Sequence, residues 1–168
     1  MSLQLGVTER SSEVFAFCGV AGNFRSMQVY KEARGLIICL SRGERIVEML
    51  THAAREQGVK GASIGGIGAL SKVELGYYIV FEKRYERTLL DDDHELLSLV
   101  GNVSLKDGVP FVHVHANLGG RDFRSVGGHL FEATVGASAE IRMERWSTAP
   151  VRMPDAAVGL SVWNGCEW

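Results

Sequence analysis

The sequence predicts an α/β (α+β) domain, a mainly antiparallel mixed sheet flanked by one or two helices. Three observations carry this. One stretch, residues 42–57, has firm helical periodicity, whereas several short runs such as "GLIICL" and "FVHVHANL" cluster or alternate apolar residues as strands do. Glycine-rich or Asp-Gly punctuation separates most of these runs. At 168 residues, with no internal repeat and no low-complexity linker, the chain suits one domain, and folding at this length buries about 70% of the unfolded surface.

Residues 1–24 combine mixed polar positions with a brief apolar patch and read as an N-terminal extension; residues 25–168 carry the domain pattern. "GLIICL" is short and apolar enough for a buried strand. In "SRGERIVEMLTHAAREQG", Ser41 and Glu44 have capping-box spacing, Ile46, Met49, Leu50, Ala53 and Ala54 form one apolar stripe, and Gly58 supplies a stop. A helix over 42–57 is expected. "GVKGASIGGIGALSKVELGYYIVFEKRYE" then reads as strand, glycine-rich turn and strand. Its "GIGALS" falls short of a dinucleotide fingerprint, because that loop must open a helix and "SKVELGYYIVF" alternates like a strand. The glycines instead permit a tight turn or close backbone approach. Two more strands are expected on either side of Asp107-Gly108, a favoured hairpin pair, and one or two in "GGHLFEATVGASAEIRMERW", with Gly136 as a break or bulge. "PVRMPDAAVGLSVW" ends in a last apolar segment.

Composition narrows the function. Apolar residues make up 46% and charged residues 23%, as in ordinary globular proteins, and no run approaches the ~20 apolar residues of a membrane helix. "VFAFCGVAG" follows Glu9, Arg10 and Glu13 rather than a basic segment and fails as a signal peptide. Cys18, Cys39 and Cys166 are odd in number and widely spaced, which suits a reducing, cytoplasmic setting and provides no thiolate zinc motif. The formal charge of −2 argues against a global affinity for DNA, leaving only local basic groups at Lys83, Arg84 and Arg87 and at Arg142, Arg145 and Arg152. No G-x-S-x-G or comparable arrangement names a nucleophile, and "DDDHE" lacks the alternating spacing of a calcium loop.

The chemistry concentrates in residues 111–130, "FVHVHANLGGRDFRSVGGHL". On a strand His113 and His115 share a face with Phe111 and Asn117, and two imidazoles two residues apart can converge on one ion. If "HLFEATV" pairs antiparallel with this strand, His129 reaches the same end of the hairpin. Three histidines would hold zinc or another divalent transition metal and leave a fourth position open, an arrangement compatible with a structural ion or with hydrolysis or hydration. The alternative is three partly buried histidines satisfied by hydrogen bonds in a polar pocket. Asp122, Glu132, Glu95 and Glu140 are candidates to orient the rings, although strand parity turns Glu132 away from His129. His52, with no partner histidine one turn on, reads as a boundary residue of the helix.

Taken in order, "GASIGGIGALSKVELGYY", "HELLSLVGNVS", "PFVHVHANL", "GGHLFEATVGASAEI" and "PDAAVGL" resemble the PPC domain, the domain conserved in plants and prokaryotes, over Met27 to Leu160. The resemblance implies an α/β domain assembling as a homotrimer, with His113, His115 and His129 matching the zinc site of prokaryotic relatives. The open position of the three-histidine set would also take a small-molecule ligand, and the label that stand-alone prokaryotic members carry implies DNA binding. Two departures bear on partners. No Arg-Gly-Arg-Pro core of an AT-hook occurs, and Asp93-His94-Glu95-Leu96-Leu97 replaces the Arg-Phe-Glu-Ile-Leu core of the plant domains.

Overall fold

Two strands far longer than the expected runs organise the molecule. In the computed structural model, which describes residues 14–16 and 26–165, the order is β1 (Val14–Ala16), β2 (Gln28–Glu32), β3 (Gly35–Ser41), α1 (Ile46–Glu56), β4 (Ala62–Ile79), β5 (Arg84–Leu90), β6 (His94–Lys106), β7 (Val109–Gly119), β8 (Ser125–Arg145), β9 (Val151–Asp155) and β10 (Leu160–Trp163). The strands form one sheet in the order β1-β2-β3-β8-β4-β6-β9-β10, with β5 beside β4 and β7 joined to both β6 and β8. Every pairing is antiparallel except β6 with β9. The expected α+β class, with a mainly antiparallel mixed sheet, is the observed one.

Pairings β4–β6, β6–β7, β7–β8 and β8–β4 close on themselves. This ring and α1 enclose the core. Val112, Val114, Ala116 and Leu118 of β7, Leu130, Ala133 and Val135 of β8, and Ile46, Leu50, Ala53 and Ala54 of α1 are all buried. Each large aliphatic side chain so buried contributes roughly 1.5–3 kcal/mol. Strand alternation then sends the intervening residues of β7 to the opposite face, where the histidines lie.

Two expectations need correction. The "GASIGGIGALSKVELGYY" segment contains no turn; β4 runs through it unbroken, with register shifts between Gly66 and Gly68 and again near Leu70 and Glu74. Its glycines serve close approach instead, since a Cβ on Gly66 would lie 2.7 Å from the Glu140 carbonyl oxygen and one on Gly68 2.5 Å from that of Ser138. Of the one or two strands expected in "GGHLFEATVGASAEIRMERW" there is one, β8, and Gly136 lies in the expected bulge: Gly68 faces Ala139 and Leu70 faces Val135. The helix starts at Ile46 rather than 42 and ends at Glu56.

That late start has a local cause. Ser41 is the last residue of β3, and the Glu44 carboxylate accepts N–H bonds from Ser41 at 2.7 Å and Met27 at 2.7 Å, so the capping-box pair closes a turn. Gly43 N–H donates to Val135 O and Arg45 bridges Thr134, which fastens this turn to β8. Arg45, the residue before the helix, makes no side-chain cap; the carboxylate of Glu132, on β8, accepts from Val47 N–H at 2.8 Å and Glu48 N–H at 3.1 Å. Asp107 (φ +53°) and Gly108 (φ +79°) make the expected tight turn between β6 and β7. Cys18, Cys166 and most of the expected N-terminal extension lie outside the described residues.

Candidate metal centre

The turn at Asp107-Gly108 sets the register of β6 against β7, placing Asn102 opposite His113, Val100 opposite His115 and Ser104 opposite Phe111. A short connection, closed by Gly120 N–H to Arg124 O at 2.9 Å and by Asp122 Oδ1 accepting from Arg124 N–H at 3.1 Å, turns the chain back into β8. Gly119 therefore faces Ser125, and His129 lands directly opposite His115. On its other side His129 faces Gly76 of β4. A Cβ at Gly76 would meet the Phe131 ring at 2.5 Å, so glycine there makes room for the aromatic side chains beside His129.

The structure thus brings His113, His115 and His129 together. Their ring centroids are 5.1 to 5.4 Å apart, and one nitrogen from each lies within 4.8 Å of the others. A tetrahedral ion with bonds near 2.0–2.1 Å separates its nitrogens by about 3.3 Å, so modest side-chain rotation closes the set. His129 stacks at 4.6 Å edge-on to Phe131 and 5.1 Å from Tyr85, and the Arg87 guanidinium covers Phe131 at 3.7 Å. His52 on α1 and His94 on β6 are not members of the group.

Electrostatics keep the rings neutral. Burial first, then the Arg152 charge and the other two imidazoles, bring His113 down to about 4. Burial, His115, Arg87 and Arg152 bring His129 down to about 4 as well, and burial lowers His115. Neutral imidazole is the metal-binding form. His129 Nδ1 is buried with no hydrogen-bond partner, which leaves a polar atom whose isolation costs about 1–3 kcal/mol. A nitrogen-preferring divalent transition metal fits this donor set, whereas a hard, oxygen-seeking cation would find no carboxylate in it. Held by His113, His115 and His129, such an ion would supply Lewis-acid polarisation.

The carboxylates proposed to orient the rings are otherwise engaged or distant in role. Glu132 caps α1, Asp122 closes the β7–β8 connection, Glu140 faces Cys39 across β3 and β8, and Glu95 faces Gly119 at the far end of β7 rather than His113 or His115. Arg152, from β9, takes the place beside His113: Nη2 donates to His113 Nδ1 at 3.0 Å and to Asn102 Oδ1 at 3.2 Å. The Asp-Gly turn already encoded Asn102, because pairing outward from it sets that residue opposite His113. The sequence offers Arg152 only as one of the basic residues near the C-terminus, and nothing local ties it to the histidines.

A sequence profile of the Plants and Prokaryotes Conserved (PCC) domain matches residues 27–145. The chain belongs to the PCC domain family. A plant- and prokaryote-conserved (PPC) protein of Pyrococcus horikoshii is 35% identical, with 89% of this chain and 100% of that one covered and a TM-score of 0.74. A metal-containing protein of Archaeoglobus fulgidus is 37% identical, with 79% and 94% covered and a TM-score of 0.73. A candidate DNA-binding protein of Bacteroides thetaiotaomicron is 25% identical, with 83% and 98% covered and a TM-score of 0.80. No curated protein matches the chain. The PCC profile spans the three histidines but stops before β9, so Arg152 reaches the site from beyond it. Among the described residues no helix is long and apolar enough to cross a membrane.

Proposed function

We propose that this PCC-domain protein is a metal-binding domain in which His113, His115 and His129 hold a zinc-type divalent transition metal beside a small-ligand pocket. One observation carries the reading: three neutral imidazoles from two strands converge within 4.8 Å, one of them with a buried nitrogen lacking any partner. A hydrogen-bonded polar pocket, the competing reading, leaves that nitrogen unexplained. Elemental analysis of protein purified without a metal-affinity tag is expected to give close to one equivalent of metal per chain, and the His113→Asn, His115→Asn pair to give none. Folded wild-type protein that stays metal-free after reconstitution with zinc or cobalt overturns the proposal.

The PCC relationship supports a homotrimer. Exposed Ile67 on β4 and Leu97 and Val100 on β6 supply apolar surface that a second copy would cover, and light scattering at micromolar concentration tests it. Metal-assisted hydrolysis or hydration is the enzymatic form of the proposal; the alternative to it is a trimeric interaction scaffold in which the histidines only order the hairpin. DNA binding, supported by the Bacteroides relative, requires an affinity for random duplex that falls steeply with salt. No detectable binding at low salt removes it.

A further inference from the structure

The Arg152 guanidinium is held as a site component rather than as a surface charge. Nε donates to Ser104 Oγ at 2.8 Å, Nη1 to Ser161 O at 3.1 Å, and Nη2 to Asn102 Oδ1 at 3.2 Å and His113 Nδ1 at 3.0 Å. Ser104 is fully buried and the arginine itself half-buried. These bonds use four of the five N–H groups of a guanidinium, leaving one on Nη1. All four acceptors are neutral, and no carboxylate among the described residues pairs with Arg152. Trp163 Nε1, a buried donor without an acceptor, belongs to an indole 5.9 Å from the same guanidinium.

The bond to His113 has a chemical consequence. Arginine can only donate, so His113 Nδ1 must present its lone pair and the ring must carry its proton on Nε2. That tautomer has no second lone pair for a metal. A metal can enter through Nδ1, displacing the guanidinium, or through Nε2 after the ring proton has moved to Nδ1, where it faces the guanidinium donor to donor. Either route releases an Nη2–H from His113. Together with the spare Nη1–H, it becomes a two-pronged donor beside a cationic centre whose three ligands carry no compensating charge.

We propose that Arg152, delivered by the β9–β10 hairpin, makes this site selective for a small oxyanion, a carboxylate or phosphate group that takes the open metal position and the freed guanidinium edge together. This rests on the three-histidine reading and names the ligand class for it. A planar fork matches both oxyanions in two-pronged geometry, and charge neutralisation favours either over a neutral ligand.

The test uses full-length protein loaded with cobalt, whose visible spectrum reports both uptake and ligand exchange. Acetate and inorganic phosphate are titrated as the two oxyanion arms, and imidazole as a neutral ligand for the same position. Arg152→Gln is expected to retain cobalt and imidazole affinity while acetate or phosphate affinity falls at least tenfold, and the arm that falls further identifies the oxyanion. If Arg152→Gln does not fold, Arg152→Lys, which keeps the charge and loses the fork, is expected to lose at least threefold. Unchanged oxyanion affinity in a cobalt-loaded variant, or equal weakening of imidazole, overturns the oxyanion assignment alone. Failure of the wild type to take up cobalt overturns the three-histidine reading beneath it.

Discussion

Glu132 distinguishes a residue that builds the fold from one that serves the histidine cluster. Its side chain is 17% exposed, and its two oxygens accept from Val47 N–H at 2.8 Å, Ala133 N–H at 2.9 Å and Glu48 N–H at 3.1 Å, with Arg45 Nε 3.6 Å away. Removing it in Glu132→Ala strands two donors of the first turn of α1 and withdraws a negative charge from the positive end of the helix. Hydrogen bonds to charged groups are worth about 1.5–3 kcal/mol each, and partial access of water to the exposed Glu48 N–H lowers the sum, giving a loss of about 2–3 kcal/mol. For a domain of this length each kcal/mol moves Tm by about 2–4 °C, so a fall of about 4–12 °C is expected in a calorimetric scan. Glu132→Gln, which keeps the shape and one acceptor oxygen, should lose about half as much. Metal content, measured on the same samples below Tm, is expected to stay at the wild-type value. A Tm within about 1 °C of wild type, or metal lost from a folded variant, refutes the assignment of Glu132 to the helix rather than to the histidines.

Other outcomes follow from the same geometry. His113 and His129 titrate near 4 in the fold against an ordinary 6.5, so below 6.5 the unfolded chain binds more protons than the folded one. The metal-free protein should therefore keep its full stability above that value and lose it progressively as pH falls toward 4; melting scans in chelator check the direction, and a flat Tm across the window contradicts it. For the same reason cobalt uptake, followed by absorbance, should persist to about pH 5, where ordinary imidazoles would already be protonated. Gly101→Val places a Cβ 2.0 Å from His113 O and 2.7 Å from Val114 Cα, forcing β6 from β7 at the candidate site; a loss of about 3 kcal/mol or insoluble expression is expected, and a wild-type melting curve would count against the register. Gly108→Ala puts a side chain at φ +79° and should cost about 1 kcal/mol, read by denaturant titration, with no change in metal content.

The histidine cluster was legible because its information is local. Alternation sends His113 and His115 to one face, and a five-residue connection returns the chain so that residue 129 meets residue 115. Asp107-Gly108 encodes a turn and, through it, every cross-strand partner of β7 as far as Asn117. The "GASIGG" glycines misled for a physical reason. Freedom of φ and absence of a side chain look identical in sequence, and here β4 uses the second, allowing β8 to lie against it without interruption. The helix start misled likewise: the Ser41–Glu44 pair forms its bond, but the chain stays tied to Val135 and Thr134 for four more residues.

Sequence alone determined the sheet-dominated class, one amphipathic helix and the face on which two histidines lie, since each follows from periodicity or from a turn a few residues long. Tertiary structure decided what surrounds them. Glu132 caps a helix 85 positions away, and Arg152 reaches His113 across 39. Such contacts depend on where a closed ring of strands brings distant segments, and the free energy that selects them belongs to the packed core rather than to either residue.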